Sequence, residues 1–187
     1  MTTTPRRMLA LLLSWALLLG PAQSALAAPT PADDQAGPIG ATPPRLAYLS
    51  GEVSFWRPGG ADWAPADLNT PLEPGDELYT GAQSALELQV GSRAWVRAGA
   101  DTQLGLANQE PDFLQIKVTA GQVSVDLRSL DPGRTVELDT PQAAFTIDHP
   151  GYYRADVTAD STSFITRRSG QATMTPAGFI ANQLTNG

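Results

Sequence analysis

Hydrophobic residues fall at every second position through most of the chain beyond residue 45. Leu86, Leu88 and Val90 alternate with Glu87 and Gln89, and Leu114, Ile116 and Val118 with Gln115, Lys117 and Thr119. Val123, Val125 and Leu127 alternate with Gln122, Ser124 and Asp126, and Phe145 and Ile147 with Thr146 and Asp148. A period of two places one set of side chains in a core and the other in water, the mark of half-buried strands. Turn signals separate these runs: Pro58-Gly59-Gly60, Pro74-Gly75-Asp76, Val90-Gly91-Ser92, Ala120-Gly121, Asp131-Pro132-Gly133, His149-Pro150-Gly151 and Ser169-Gly170. Glycine accepts positive φ and proline presets the first turn position. The pattern predicts an all-β single domain of short antiparallel strands, either sandwich-like or a short β-solenoid. The solenoid alternative rests on a phrase that occurs three times, at Gly51-Glu52-Val53-Ser54-Phe55, Gly121-Gln122-Val123-Ser124-Val125 and Gly170-Gln171-Ala172-Thr173-Met174, with unequal spacing.

The first 45 residues follow a different rhythm. Arg6 and Arg7 precede an apolar run from Met8 to Leu19, then Gly20-Pro21, then Ala25-Leu26-Ala27. This order of charge, apolar core and small residues predicts a secretory signal peptide over 1–27. The apolar run is shorter than the roughly 20 residues a spanning helix needs, and no later segment is long and apolar enough, so no membrane span is expected after cleavage. Residues 28–44 (APTPADDQAGPIGATPP) have almost no large apolar side chains and read as a flexible Pro/Ala/Gly linker. A periplasmic or secreted location follows. The chain has no cysteine, so in that setting its fold must be held by its core and not by disulfides.

Charge narrows the partners. The formal net charge is −7, and loss of Arg6 and Arg7 with the leader, which contains no acid, makes it about −9. Lys117 is the only lysine. No basic stripe for phosphate contacts is evident, which argues against nucleic acid.

The segment from Leu46 to Thr140 resembles the FecR domain family. The resemblance lies in Gly51-Glu52-Val53, Trp63-Ala64-Pro65-Ala66, Pro71-Leu72-Glu73-Pro74-Gly75-Asp76-Glu77-Leu78-Tyr79-Thr80, the Ser84–Val90 strand, Gly121-Gln122-Val123 and Asp139-Thr140-Pro141. Its most specific part is Pro-Gly-Asp-x-Leu-x-Thr. Phe145–Val157 (FTIDHPGYYRADV) and Arg168–Ala172 look like an exported subgroup of unassigned function in which a Pro-Gly-Tyr-Arg hairpin follows the FecR core. The resemblance implies a FecR-like β-domain at 45–140 and a C-terminal β-hairpin extension at 141–187 that packs on it. It also implies an extracytoplasmic sensing or interaction role, as in the family's regulators that relay a receptor's state to a σ factor. Here a cleavable leader stands in place of those regulators' transmembrane helix, so signal transduction would require a membrane-spanning partner.

Candidate chemistry is sparse. His149, the only histidine, precedes a proline and is expected at a hairpin tip; without cysteine or a second histidine it makes a poor transition-metal site. The acids Asp76, Glu77, Asp101, Asp139 and Asp148 lie at expected turns or strand ends, and nothing in the spacing makes two of them converge as a glycosidase requires. No Gly-x-Ser-x-Gly elbow or phosphate-binding loop occurs. Catalytic residues, metal ligands and cofactors are therefore not expected. The aromatics carry more information. Val53 and Phe55 share one strand face, leaving Ser54 and Trp56 on the other; Ala94 and Val96 share a face, leaving Arg93, Trp95 and Arg97. Trp63 lies where a hairpin would set it across from Trp56. With Tyr152 and Arg154, these residues (Trp56, Trp63, Arg93, Trp95, Arg97) form the candidate binding surface, since exposed tryptophan and arginine are typical of contact hot spots. The alternative for Trp95 is burial beneath a guanidinium. The leading expectation is a non-catalytic interaction module with an unknown envelope protein as partner. A glycan- or cell-wall-binding module is the alternative, and a carboxylate-dependent hydrolase the third reading.

Overall fold

The computed structural model describes residues 42–178; the expected leader and nearly all of the expected linker lie outside the described residues, as do residues 179–187. Pro44, at the end of that linker, is buried, and its carbonyl accepts a hydrogen bond from the Leu72 N–H at 2.7 Å.

Thirteen strands make up the fold between residues 45 and 176. In order these are β1 (Arg45–Ser50), β2 (Val53–Trp56), β3 (Ala64–Pro65), β4 (Glu77–Thr80), β5 (Ala85–Val90), β6 (Ala94–Ala98) and β7 (Thr102–Gln109). There follow β8 (Phe113–Leu127), β9 (Thr135–Asp139), β10 (Ala143–Ile147), β11 (Gly151–Val157), β12 (Thr162–Arg167) and β13 (Ala172–Pro176). The fold is all-β. One set of strands runs β1-β5-β6-β8-β11-β12 and another β3-β2-β4-β7-β8-β9-β10-β13. The 15-residue β8 belongs to both: Phe113–Ala120 pairs with β7 and β9, and Gly121–Leu127 with β6 and β11. We call the sheet containing β1 the first sheet and that containing β3 the second. They are the two halves of one sheet that curls along β8.

Both halves turn their apolar sets toward one core. Leu46, Leu78, Val118, Leu138, Ile147 and Tyr153 are fully buried within it. Each such side chain contributes about 1.5–3 kcal/mol relative to an exposed one. Phe145 of β10 and Phe164 of β12, one from each sheet, stack with centroids 4.0 Å apart and planes 6° from parallel.

The alternating runs are strands as expected, and the sandwich-like alternative describes the architecture better than the solenoid. The three glycine-led phrases lead into β2, the second half of β8 and β13, which do not stack on one another. Three expectations need correction. Ala120-Gly121 is not a chain reversal but a bend within β8. His149-Pro150 is not a hairpin tip: β10 and β11 do not pair, and residues 148–150 carry the chain from the second sheet to the first. The pairing of β8 with β9 is parallel, whereas the other strand pairs among the described residues are antiparallel. The Asp131-Pro132-Gly133 turn therefore belongs to a crossover.

The residues of the Pro-Gly-Asp-x-Leu-x-Thr element hold the domain together. Asp76 is fully buried and accepts hydrogen bonds from Arg57 Nε (2.8 Å), Arg57 Nη2 (2.6 Å) and the Glu73 N–H (2.7 Å). Leu78 enters the core. The buried Thr80 hydroxyl donates to the Gly99 carbonyl at 2.5 Å and accepts from the Thr102 N–H at 3.0 Å. Thr102 continues the chain, its hydroxyl accepting from the Gln122 N–H at 3.0 Å beside the bend in β8. These buried polar groups are satisfied, as burial demands.

Candidate functional site

Cross-strand partners share a face, so register assembles the outer surface of the first sheet. Gln89, Trp95, Asp126, Tyr152 and Arg167 form one row across β5, β6, β8, β11 and β12. Glu87, Arg97, Ser124, Arg154 and Ile165 form the next. Trp95, Arg97, Tyr152 and Arg154, two strands apart in pairs and so roughly 10 Å from each other across the sheet, thus lie on one contiguous surface.

Asp126 is the centre of that surface. It is only 6% exposed although it points away from the core, because cations surround it. Arg97 Nη1 lies 3.7 Å away and Arg128 Nη2 3.8 Å away, and Arg168 donates to its Oδ1. Arg97 also pairs with Glu87 at 2.6 Å. The arginines cover the aromatics: Arg128 lies 5.4 Å from the Trp95 ring centroid and Arg168 5.8 Å from that of Tyr152. Trp95 therefore sits under a guanidinium, and what the face presents is arginine backed by aromatic rings. Arg154 forks onto Asp156, with Nε to Oδ2 at 2.9 Å and Nη2 to Oδ1 at 2.8 Å, and this pairing holds the Asp156 carboxyl below its ordinary pKa. Arg93 stands in the turn before β6, where its carbonyl accepts from the Arg128 N–H.

Trp56 and Trp63 belong elsewhere. Both lie on the second sheet, so the seven expected surface residues fall on two faces. The β2–β3 register pairs Phe55 with Ala64 and, one step on, sets Trp63 opposite Trp56. Trp56 is half-buried and its indole N–H donates to the Gly60 carbonyl at 3.2 Å, while Trp63 is 44% exposed.

The second sheet also carries a groove of about 620 Å³ whose lining includes Gln115, Lys117, Thr119, Glu137 and Asp139. Gln115 Nε2 donates to Glu137 Oε1 at 2.9 Å and to Asp139 Oδ2 at 2.8 Å. Burial, and then the neighbouring Glu137 charge, push the Asp139 carboxyl above its ordinary pKa. The two acids stand side by side on one face of β9. That is not the opposed arrangement of a glycosidase pair. His149 is exposed and its Nδ1 lies 2.5 Å from Asp148 Oδ1. Among the described residues, no group of three or more His, Asp or Glu side chains is placed to hold a metal ion, and no helix is long and apolar enough to cross a membrane.

Sequence reasoning missed Asp126, Arg128 and Arg168. Ser124, Asp126 and Arg128 share parity, so the first two additions were within reach. Arg168 was not, because it reaches Asp126 from a turn in which it adopts φ 56°. Compared with protein-family models, curated proteins and solved structures, the chain matches none.

Proposed function

We propose that the protein is a non-catalytic, FecR-like interaction module of the cell envelope that docks a partner protein through the outer face of the first sheet. The observation that carries this reading is the convergence of Trp95, Arg97, Tyr152 and Arg154 on one surface around Asp126. Arginine and aromatic side chains at the centre of a contact supply a large share of binding energy. Arg45 and Arg167 extend the surface in the same row, against the acids Glu87, Asp126 and Asp156. This arginine-rich face on a chain of net negative charge favours an acidic partner surface, whose approach it would steer. The sequence resemblance and the expected leader support an extracytoplasmic location.

The test is site-specific photocrosslinking of the processed protein in intact cells. A crosslinker at Tyr152 or Arg154 is expected to trap one defined envelope protein, and one at Lys117 on the second sheet is not. The double substitution Arg97→Glu with Arg154→Glu should abolish the adduct while leaving the circular dichroism spectrum unchanged. Equal labelling from both faces, or an adduct indifferent to charge reversal, would reject the proposal.

A further inference from the structure

A second site, on the other sheet, follows from three neighbouring strands. Ser54 of β2 pairs with Tyr79 of β4, and Tyr79 pairs with Gln103 of β7. These three side chains stand in a row on the outer face, and Trp63 joins them from just before β3. Together they line a hollow of about 370 Å³. Trp63 is 44% exposed and Tyr79 42%. Single exposed aromatics need no explanation, but two on one hollow beside polar groups do.

The contrast with the first sheet is informative. There the guanidiniums of Arg128 and Arg168 lie over Trp95 and Tyr152. The Arg57 guanidinium lies against Phe55, while the exposed rings of Trp63 and Tyr79 face the hollow. Hydrogen bonds hold their scaffold. The Ala66 N–H donates to the Val53 carbonyl at 2.9 Å just beyond β3, and β4 is held between β2 and β7. Gln103 Nε2 donates to Glu77 Oε2 at 3.1 Å, which fixes the plane of the amide beside the rings. Aromatics held in place lose little freedom on binding.

We infer that this hollow is a saccharide-binding subsite for an uncharged oligosaccharide. The axial C–H face of a pyranose stacks on an indole or phenol ring, while its hydroxyls meet groups that both donate and accept. Ser54 and Gln103 supply such groups at the edge of the platform. The Glu77 carboxylate beside Gln103 disfavours polyanions, including nucleic acid and acidic polysaccharide. A proline-rich peptide is the competing occupant, since extended proline segments also dock on aromatic-lined surfaces.

The experiment titrates the processed protein, by calorimetry and by the indole N–H resonance of Trp63, with cellotetraose, tetra-N-acetylchitotetraose and a synthetic peptide of residues 28–41. Saturable binding of at least one oligosaccharide is expected, with the Trp63 resonance shifting. Trp63→Ala and Tyr79→Ala should each weaken it roughly tenfold or more, the scale of a lost hot-spot contact. Gln103→Ala, the gentler variant, should weaken it less, and Trp95→Ala should leave it unchanged. Absence of saturable binding of either sugar at millimolar concentration, binding that survives Trp63→Ala, or binding of the peptide alone would overturn the assignment. Charge reversal at Arg97 and Arg154 leaves this site intact, so its failure is separable from failure of the docking face.

Discussion

Asp76 has no solvent exposure, and three N–H groups converge on its carboxylate. Truncation to alanine strands the Glu73 N–H and deprives Arg57 of its buried carboxylate, although that guanidinium, with a side chain 38% exposed, keeps the Pro71 carbonyl and Glu73 as partners. Asp76→Ala is expected to cost about 2–4 kcal/mol, read as a lower urea midpoint at unchanged slope; a loss within error of zero would refute the assigned role. Asp139 makes the opposite kind of prediction. A carboxyl with a higher pKa in the folded state binds its proton more tightly there. It favours the native state as pH falls through the folded pKa, with the full gain reached below the unfolded value, and penalises it above. Asp139→Asn should therefore be more stable than wild type at neutral pH, and the advantage should shrink in acid. Thermal melts of the two proteins across that range check this, and superimposable profiles would contradict it. Asp156 carries the reverse sign, since its lowered pKa gives stability that is lost on acidification.

At the scale of elements, β8 shows what was legible and what was not. Leu114, Ile116 and Val118 are buried at even positions, Val123, Val125 and Leu127 at odd ones. Both runs were readable as strands. The change of parity between them looked like a turn, because a glycine there is compatible with a reversal or a bend, and only the pairing of each half decides. Gly121 adopts φ 92°, and a Cβ there would lie 2.4 Å from Thr102 Oγ1 and 2.5 Å from Thr102 Cα. Gly121→Ala is expected to cost about 3 kcal/mol or more, from backbone strain and overlap together. Gly133→Ala, at φ 79° with nothing within 4 Å of the added carbon, should cost only the left-handed penalty of about 1–2 kcal/mol. Equal losses in denaturant unfolding would show that the bend is not tightly packed. The other misreadings share a cause. Residues 148–150 carry turn chemistry, but local chemistry does not say whether the following strand pairs with the preceding one or crosses to the other sheet.

For the whole molecule, strand parity foretold which side of each candidate residue faces out, but not which strands become neighbours. That is why Trp95, Arg97, Tyr152 and Arg154 came together while Trp56 and Trp63 went to the opposite face. The hollow beside Tyr79 stayed hidden for the same reason, since Trp63 and Gln103 are 40 positions apart in a chain whose pairing is mostly long-range. The strand shared by both sheets also governs assembly. Apart from β8, the strands before it make two ladders, β1-β5-β6 and β3-β2-β4-β7, that share no strand pairing and are joined where Pro44–Leu46 meets residues 69–72. A chain cut before Phe113 would therefore lack the one strand on which both halves pair.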